Sequence, residues 1–118
     1  VDRPGPRPDD STVLESRSVE QLAAAAALLS VVADPTRLQL LDQLASGPSC
    51  VCNLRTDPPI PGNLLSYHLK VMREAGLISG SRRGRWIDYS LVDGALDRVH
   101  AALPAVTRIP VRAVKNAS

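Results

Sequence analysis

Cys50 and Cys52 are the only cysteines in this chain of 118 residues, and one valine separates them in the stretch PSCVCNL. A thiol pair this close has four chemical uses: a disulfide, a chelate for a soft ion, a nucleophile, or two small apolar fillers. A bridge across one intervening residue closes a very small, strained ring. A structural disulfide is therefore disfavoured, while oxidation as a signal stays open. A nucleophile needs a base, and His68 and His100 are the only histidines, with no Ser/His/Asp or Cys/His order around them. The chain reads as a non-enzyme with no small organic substrate. Zinc takes about four N or S ligands, and two cysteines with two scattered histidines give no recognisable spacing. No structural zinc is expected. A soft-ion chelate remains. Thiolates one residue apart diverge in a regular helix and converge in extended or helix-start geometry. Gly47-Pro48-Ser49 places Cys50 at such a boundary.

A second set of residues suits a nucleic acid. On a helix over 62–75, Asn63, Ser66, Tyr67, Lys70 and Glu74 fall on one polar stripe. Asn can read adenine edges, Ser and Tyr can bond bases or phosphates, and Lys can neutralise a phosphate. Arg82, Arg83 and Arg85 cluster around Gly84, where a hairpin would turn. A basic hairpin tip beside a helix-turn-helix is the arrangement of a winged helix, whose wing contacts DNA backbone or minor groove.

These groups need a scaffold. The length fits one domain, and with 44% apolar residues but one Trp, two Tyr and no Phe, the core must be Leu, Val and Ala. The net charge of +2 does not by itself argue for nucleic acid, so the placement of charge carries the weight. No membrane span or signal-peptide pattern appears, and the two cysteines suit a cytoplasmic, reducing setting. Residues 1–17 read as a flexible arm, 18–104 as the domain and 105–118 as an irregular tail. Ser18 with Gln21 fits a capping box, and Val19, Leu22, Ala23, Ala26 and Leu29 recur at helical spacing. Asp34-Pro35 opens a second helix, Leu38, Leu41, Leu44 and Ala45 form its buried stripe, and Gly47-Pro48 ends it. Residues 50–57 allow a short helix before Pro58, Pro59 and Pro61. The helix over 62–75 follows, with Leu65, Leu69 and Met72 inward, His68 beside them, and a Gly76-Leu77 Schellman stop. Residues 77–91 read as a β-hairpin, and a last helix from Asp93 aligns Ala95, Leu96, Val99, Ala102 and Leu103 before Pro104.

The segments ADPTRLQLLDQL, CVCNL, LLSYHLKVMREAGLI and RRGRWIDYSL together resemble the ArsR/SmtB family of metal-responsive bacterial repressors over residues 18–103. The resemblance implies a mainly α winged helix-turn-helix of order α-α-α-α-β-β-α. It implies a homodimer joined through the first and last helices, here by Leu22, Ala26, Leu29, Leu96, Val99 and Leu103. It also implies operator DNA with inverted half-sites about one turn apart. C-V-C is similar to the As(III) or Sb(III) site of arsenic-responsive members, and to part of the Cd(II)/Pb(II) site of others. Four departures stand out. Arg55 occupies the place of the arsenic type's frequent third cysteine, and the arm lacks the cysteines of the cadmium/lead type. Asp93, Asp97 and His100 do not reproduce the family's last-helix zinc pattern. DPPIPG replaces the usual glycine turn, with Pro61 where a Ser or Thr cap is common.

The resulting expectation is a repressor that leaves its operator when As(III) or Sb(III) draws Cys50 and Cys52 together at the start of the first reader helix. The alternatives are a Cd(II)/Pb(II)-responsive or cysteine-redox repressor of the same fold, a winged-helix interaction module that never reads DNA, and a small thiol enzyme.

Overall fold

The computed structural model describes residues 16–105. The arm and tail therefore lie, but for Ser16, Arg17 and Ala105, outside the described residues. The elements run α1 (Val19–Val32), α2 (Pro35–Ala45), β1 (Ser49–Cys50), a 3₁₀ turn (Val51–Asn53), α3 (Gly62–Glu74), β2 (Ile78–Arg83), β3 (Trp86–Leu91) and α4 (Ala95–Ala102). β3 lies at the centre of a three-stranded antiparallel sheet, between β1 and β2. Its register sets Cys50 opposite Asp88 on one side and Arg83 opposite Trp86 on the other. The architecture is a winged helix-turn-helix, with the β2–β3 hairpin as the wing.

Local chemistry explains most boundaries. Ser18 and Gln21 form the capping box of α1. At the start of α2, the Asp34 carboxylate accepts from the Thr36 and Arg37 amides, at 2.9 and 3.0 Å. Pro35 follows at the first helical position, where its missing N–H costs nothing. The Arg37 amide bond holds the Asp34 carboxyl below its ordinary range. This cap is present above the unfolded carboxylate pKa, and is lost as pH falls through the lower folded value. Asp34→Ala is expected to cost about 1 kcal/mol near neutrality. Thermal unfolding should show the gap to wild type closing in strong acid.

α3 ends in a full Schellman motif: the Gly76 amide donates to Arg73 and the Leu77 amide to Met72, at 2.9 and 3.0 Å. Gly76 has φ of +76°, which a side chain would strain. Arg98 of α4 donates to the carbonyls of Ala75 and Gly76, tying the last helix to the end of α3.

The core joins α2, α3 and the wing sheet through Leu40, Leu44, Leu69, Met72, Leu77 and Ile78, all essentially inaccessible, with Leu41, Leu54 and Tyr89 around them. The buried stripe of α2 differs from the sequence expectation. Leu40, Leu41 and Leu44 face inward, while Leu38 is 49% exposed and Ala45 is exposed. Arg37 ties the first turn of α2 to Val31 of α1 and His68 of α3, and Leu38, the next residue, faces outward. α1 holds no buried residue. Leu28, Val31 and Val32 pack against the core, on the side of α1 away from the residues expected at the dimer seam. α4 begins at Ala95, after Gly94, rather than at Asp93.

The largest difference is the first reader helix. Residues 50–57 form β1, a single 3₁₀ turn and an irregular segment. Pro58, Pro59 and Pro61 remove the amides that a helix through this stretch would need as donors. The segment's backbone is satisfied from α2. Gln43 accepts from the Arg55 amide and donates to the Arg55 carbonyl, at 2.9 and 2.7 Å. Gln39 does the same for Asp57, at 2.8 and 3.0 Å. Two glutamines one helical turn apart thus replace a ladder of backbone bonds.

Candidate nucleic-acid interface and thiol pair

Four of the residues expected to meet DNA stand together on α3. Asn63, Ser66, Tyr67 and Lys70 are all exposed, on the face opposite buried Leu69 and Met72. Lys70 lies 3.9 Å from Glu74, one turn on, so part of its charge is answered within the helix. Pro61 offers no side-chain cap, leaving the α3 N-terminus without that bond.

The inward face of α3 is oriented by His68, a buried polar side chain in the domain core. Arg37 Nη1 lies 3.0 Å from His68 Nδ1, and Arg37 Nε donates to the Val31 carbonyl at 2.6 Å. An arginine can only donate, so Nδ1 accepts and the ring proton sits on Nε2. One guanidinium thus joins the end of α1, the start of α2 and the middle of α3.

In the wing, Gly84 and Arg85 make the turn between β2 and β3. Arg82, Arg83 and Arg85 are exposed, but not equivalent. Arg83 grips Asp88 with two parallel bonds, Nε to Oδ2 at 2.7 Å and Nη2 to Oδ1 at 3.0 Å. The Arg83 guanidinium holds the Asp88 carboxyl below its ordinary range. Arg82 has only a long contact, 3.4 Å, to the Gly84 carbonyl. Sequence reasoning missed Asp88, whose signal was an acid inside a basic hairpin. It also missed Arg73, which shares with Arg82 a cleft between α3 and the wing, floored by Gly80, Ile87 and Tyr89. A Cβ at Gly80 would come within 3.1 Å of both Ile87 and Tyr89, so glycine keeps that floor open.

The cysteines sit at the other edge of the same sheet. Cys50 is buried and extended in β1, while Cys52 is exposed in the 3₁₀ turn. The turn folds Cys52 back, so that its amide donates to Cys50 Sγ at 3.2 Å, and the two sulfurs are joined as a disulfide. This bridge, disfavoured from spacing alone, forms because the chain breaks from strand to turn between the two residues. The pair therefore lies where an edge strand of the wing sheet breaks into a 3₁₀ turn, not at the start of a reader helix. Arg55, where a third thiol was considered, donates to the carbonyls of Cys52 and Leu54. Among the described residues no cluster of three His, Cys, Asp or Glu side chains could hold an ion.

α1 and α4 pack together, and Arg17 donates to the Ala102 carbonyl at 3.0 Å. Their outer side is apolar. Val19 is 78% exposed, Leu22 47%, Leu96 37% and Leu103 49%. Ala26 is exposed beside them, while Leu29 and Val99 are half-buried. Among the described residues, no single helix is long and apolar enough to cross a membrane.

Residues 34–79 match the family described as bacterial regulatory protein, arsR family. An uncharacterised helix-turn-helix transcriptional regulator of Methanocaldococcus jannaschii is 33% identical over 92 residues, covering 77% of this chain and the whole of that protein. The chain belongs to the ArsR/SmtB family. The SmtB repressor of Mycobacterium tuberculosis is 39% identical over 74% of this chain. The arsenical resistance operon repressor of Bacillus subtilis is 38% identical over 52% of this chain. The chain spans less than two thirds of those two proteins, 63% and 60%. A solved structure described as a possible transcriptional regulator for arsenical resistance superposes with TM-score 0.62, at 31% identity, over 77% of this chain and 95% of that one. An ArsR/SmtB chain with this fold is a DNA-binding transcriptional regulator and not an enzyme.

Proposed function

We propose that the chain is a homodimeric repressor that leaves its operator when reduced Cys50 and Cys52 bind As(III) or Sb(III). The observation that carries this reading is the convergence of the only two cysteines at the edge of the wing sheet. Two thiolates brought to one point suit a thiophilic ion. The pair must first be reduced, since only thiolates ligate. The arsenical resistance repressor of B. subtilis supports the choice of inducer. The exposed apolar face of α1 and α4 supports the dimer, and a two-fold dimer would set two α3 helices on inverted half-sites about one DNA turn apart. Asn63, Ser66, Tyr67 and Lys70 would meet the major groove, and wing arginines the backbone or minor groove. Such a regulator works in the cytoplasm.

An inducer acts only through different affinities for the DNA-competent and DNA-released states, a coupling that typically amounts to about 5- to 150-fold. Arsenite should weaken binding of the reduced wild-type protein to an operator duplex, selected from a random pool, by a factor in that range. Cys50→Ser/Cys52→Ser should bind the same duplex and ignore arsenite. The measurement pairs a gel-shift titration with ultraviolet thiolate absorbance. Release of the double variant by arsenite would overturn the assignment. Cadmium and lead titrations in parallel would identify the alternative inducers. A peroxide arm read by mass spectrometry would identify a redox switch.

A further inference from the structure

The cysteine pair and the wing meet on one sheet, because β3 of the wing also pairs with β1. Cys50 lies opposite Asp88 in the β1–β3 register. Asp88 in turn holds Arg83, at the tip of β2, by two charge-assisted bonds at 2.7 and 3.0 Å. No other wing arginine is gripped in this way among the described residues. With the sulfurs joined, the wing presents Arg83 to a carboxylate and not to a phosphate.

We infer that Asp88 is a positioning residue that couples the cysteine pair to the wing, withholding Arg83 from the DNA backbone when the two sulfurs are drawn together. This rests on the inducer reading above and deepens it, by naming the route from the thiols to DNA. Convergence of the sulfurs fixes Cys50 in β1, and β1 pairs at Asp88 with β3, the strand whose own register with β2 sets Asp88 beside Arg83. When the sulfurs part, β1 is less constrained and Arg83 is released to a phosphate. The ligand's leverage is then the loss of one phosphate contact per wing, two per dimer. Both partners of the grip are surface groups, so breaking it leaves the core in place.

The test has two arms. The first uses protein with its sulfurs joined, verified by mass, and a mixed-sequence duplex titrated across a range of salt. Each phosphate neutralised steepens the slope of log K against log salt by about 0.9. Asp88→Asn should steepen the slope by about that amount per wing engaged. The same change in an Arg83→Ala background should leave the slope unmoved. Equal slopes for wild type and Asp88→Asn, or steepening that persists without Arg83, would overturn the grip.

The second arm adds arsenite to reduced protein on the selected duplex. Asp88→Asn should develop the same thiolate absorbance as wild type, while losing at least fivefold less DNA affinity. Trp86, the only tryptophan and the register partner of Arg83, should change emission with arsenite in wild type and not in Asp88→Asn. Full release of Asp88→Asn with normal absorbance would overturn the coupling. Absence of absorbance in wild type would instead refute the inducer, and the grip would stand or fall on the salt slopes.

Discussion

Leu22→Glu should convert the protein to monomers and weaken operator binding by about 10²- to 10⁴-fold. The side chain is 47% exposed in the single chain, on the apolar face that α1 shares with α4. A glutamate there meets water in the monomer, so the protomer should keep its fold within about 0.5 kcal/mol. In a two-fold interface each substitution occurs twice, so two carboxylates would be buried without partners. DNA affinity falls because each α3 then binds its half-site alone. The second contact ceases to be intramolecular, which removes the gain of about 10² to 10⁴ that linkage supplies. Sedimentation, circular dichroism and a gel shift together check this. A Leu22→Glu protein that remains dimeric would remove α1 from the interface, and a monomer that binds as tightly as wild type would refute the linked half-sites. Leu96→Glu, on α4, provides the same test from the other helix.

That face was legible in the sequence only as apolar spacing. Leu22, Ala26, Leu96 and Leu103 recur at helical intervals, and periodicity alone cannot separate a face buried within the protomer from one buried against a partner. The caps were more readable, because Ser18, Asp34-Pro35 and Gly76-Leu77 act through their own backbone. The wing was readable for a similar reason, since strand-forming residues flank a glycine turn. The first reader helix was misread because the CVCNL segment looks helical in its family context while the prolines beyond it withdraw the donors. The glutamines that stabilise the irregular segment, Gln39 and Gln43, sit 18 and 12 residues before their partners. Such long-range amide pairing leaves no local pattern. The thiol pair was legible as chemistry, but its placement was not. β1 pairs with a strand almost forty positions on, and only that pairing sets Cys50 opposite Asp88. The Arg83–Asp88 grip belongs to the hairpin's own register, and its local signal was an acid inside a basic hairpin.

Arg37→Ala should cost about 3 kcal/mol and lower DNA affinity, although Arg37 is not among the residues assigned to DNA. Its Nε bonds the Val31 carbonyl at 2.6 Å and its Nη1 reaches His68 Nδ1 at 3.0 Å. Truncation leaves both acceptors without their donor, in a partly buried seam, and each orphaned acceptor costs about 1–3 kcal/mol. Typical domains have a total stability of about 5–15 kcal/mol, so this is a large share. The effect on DNA follows from where His68 sits. It lies in the middle of α3, two residues from Ser66 and Lys70 and next to Tyr67, so the Arg37 contact fixes the rotation of the reading stripe. Freed of it, α3 can turn about its axis, and specificity should fall more than salt-driven backbone binding, because base contacts tolerate less displacement than phosphate contacts. Arg37→Lys should rescue only part. A single ammonium on a flexible stem cannot serve both acceptors in the planar geometry of the guanidinium. Chemical denaturation and paired titrations on the selected and mixed-sequence duplexes provide the check. Equal loss on both duplexes would mean that Arg37 stabilises the fold without orienting the helix that reads DNA.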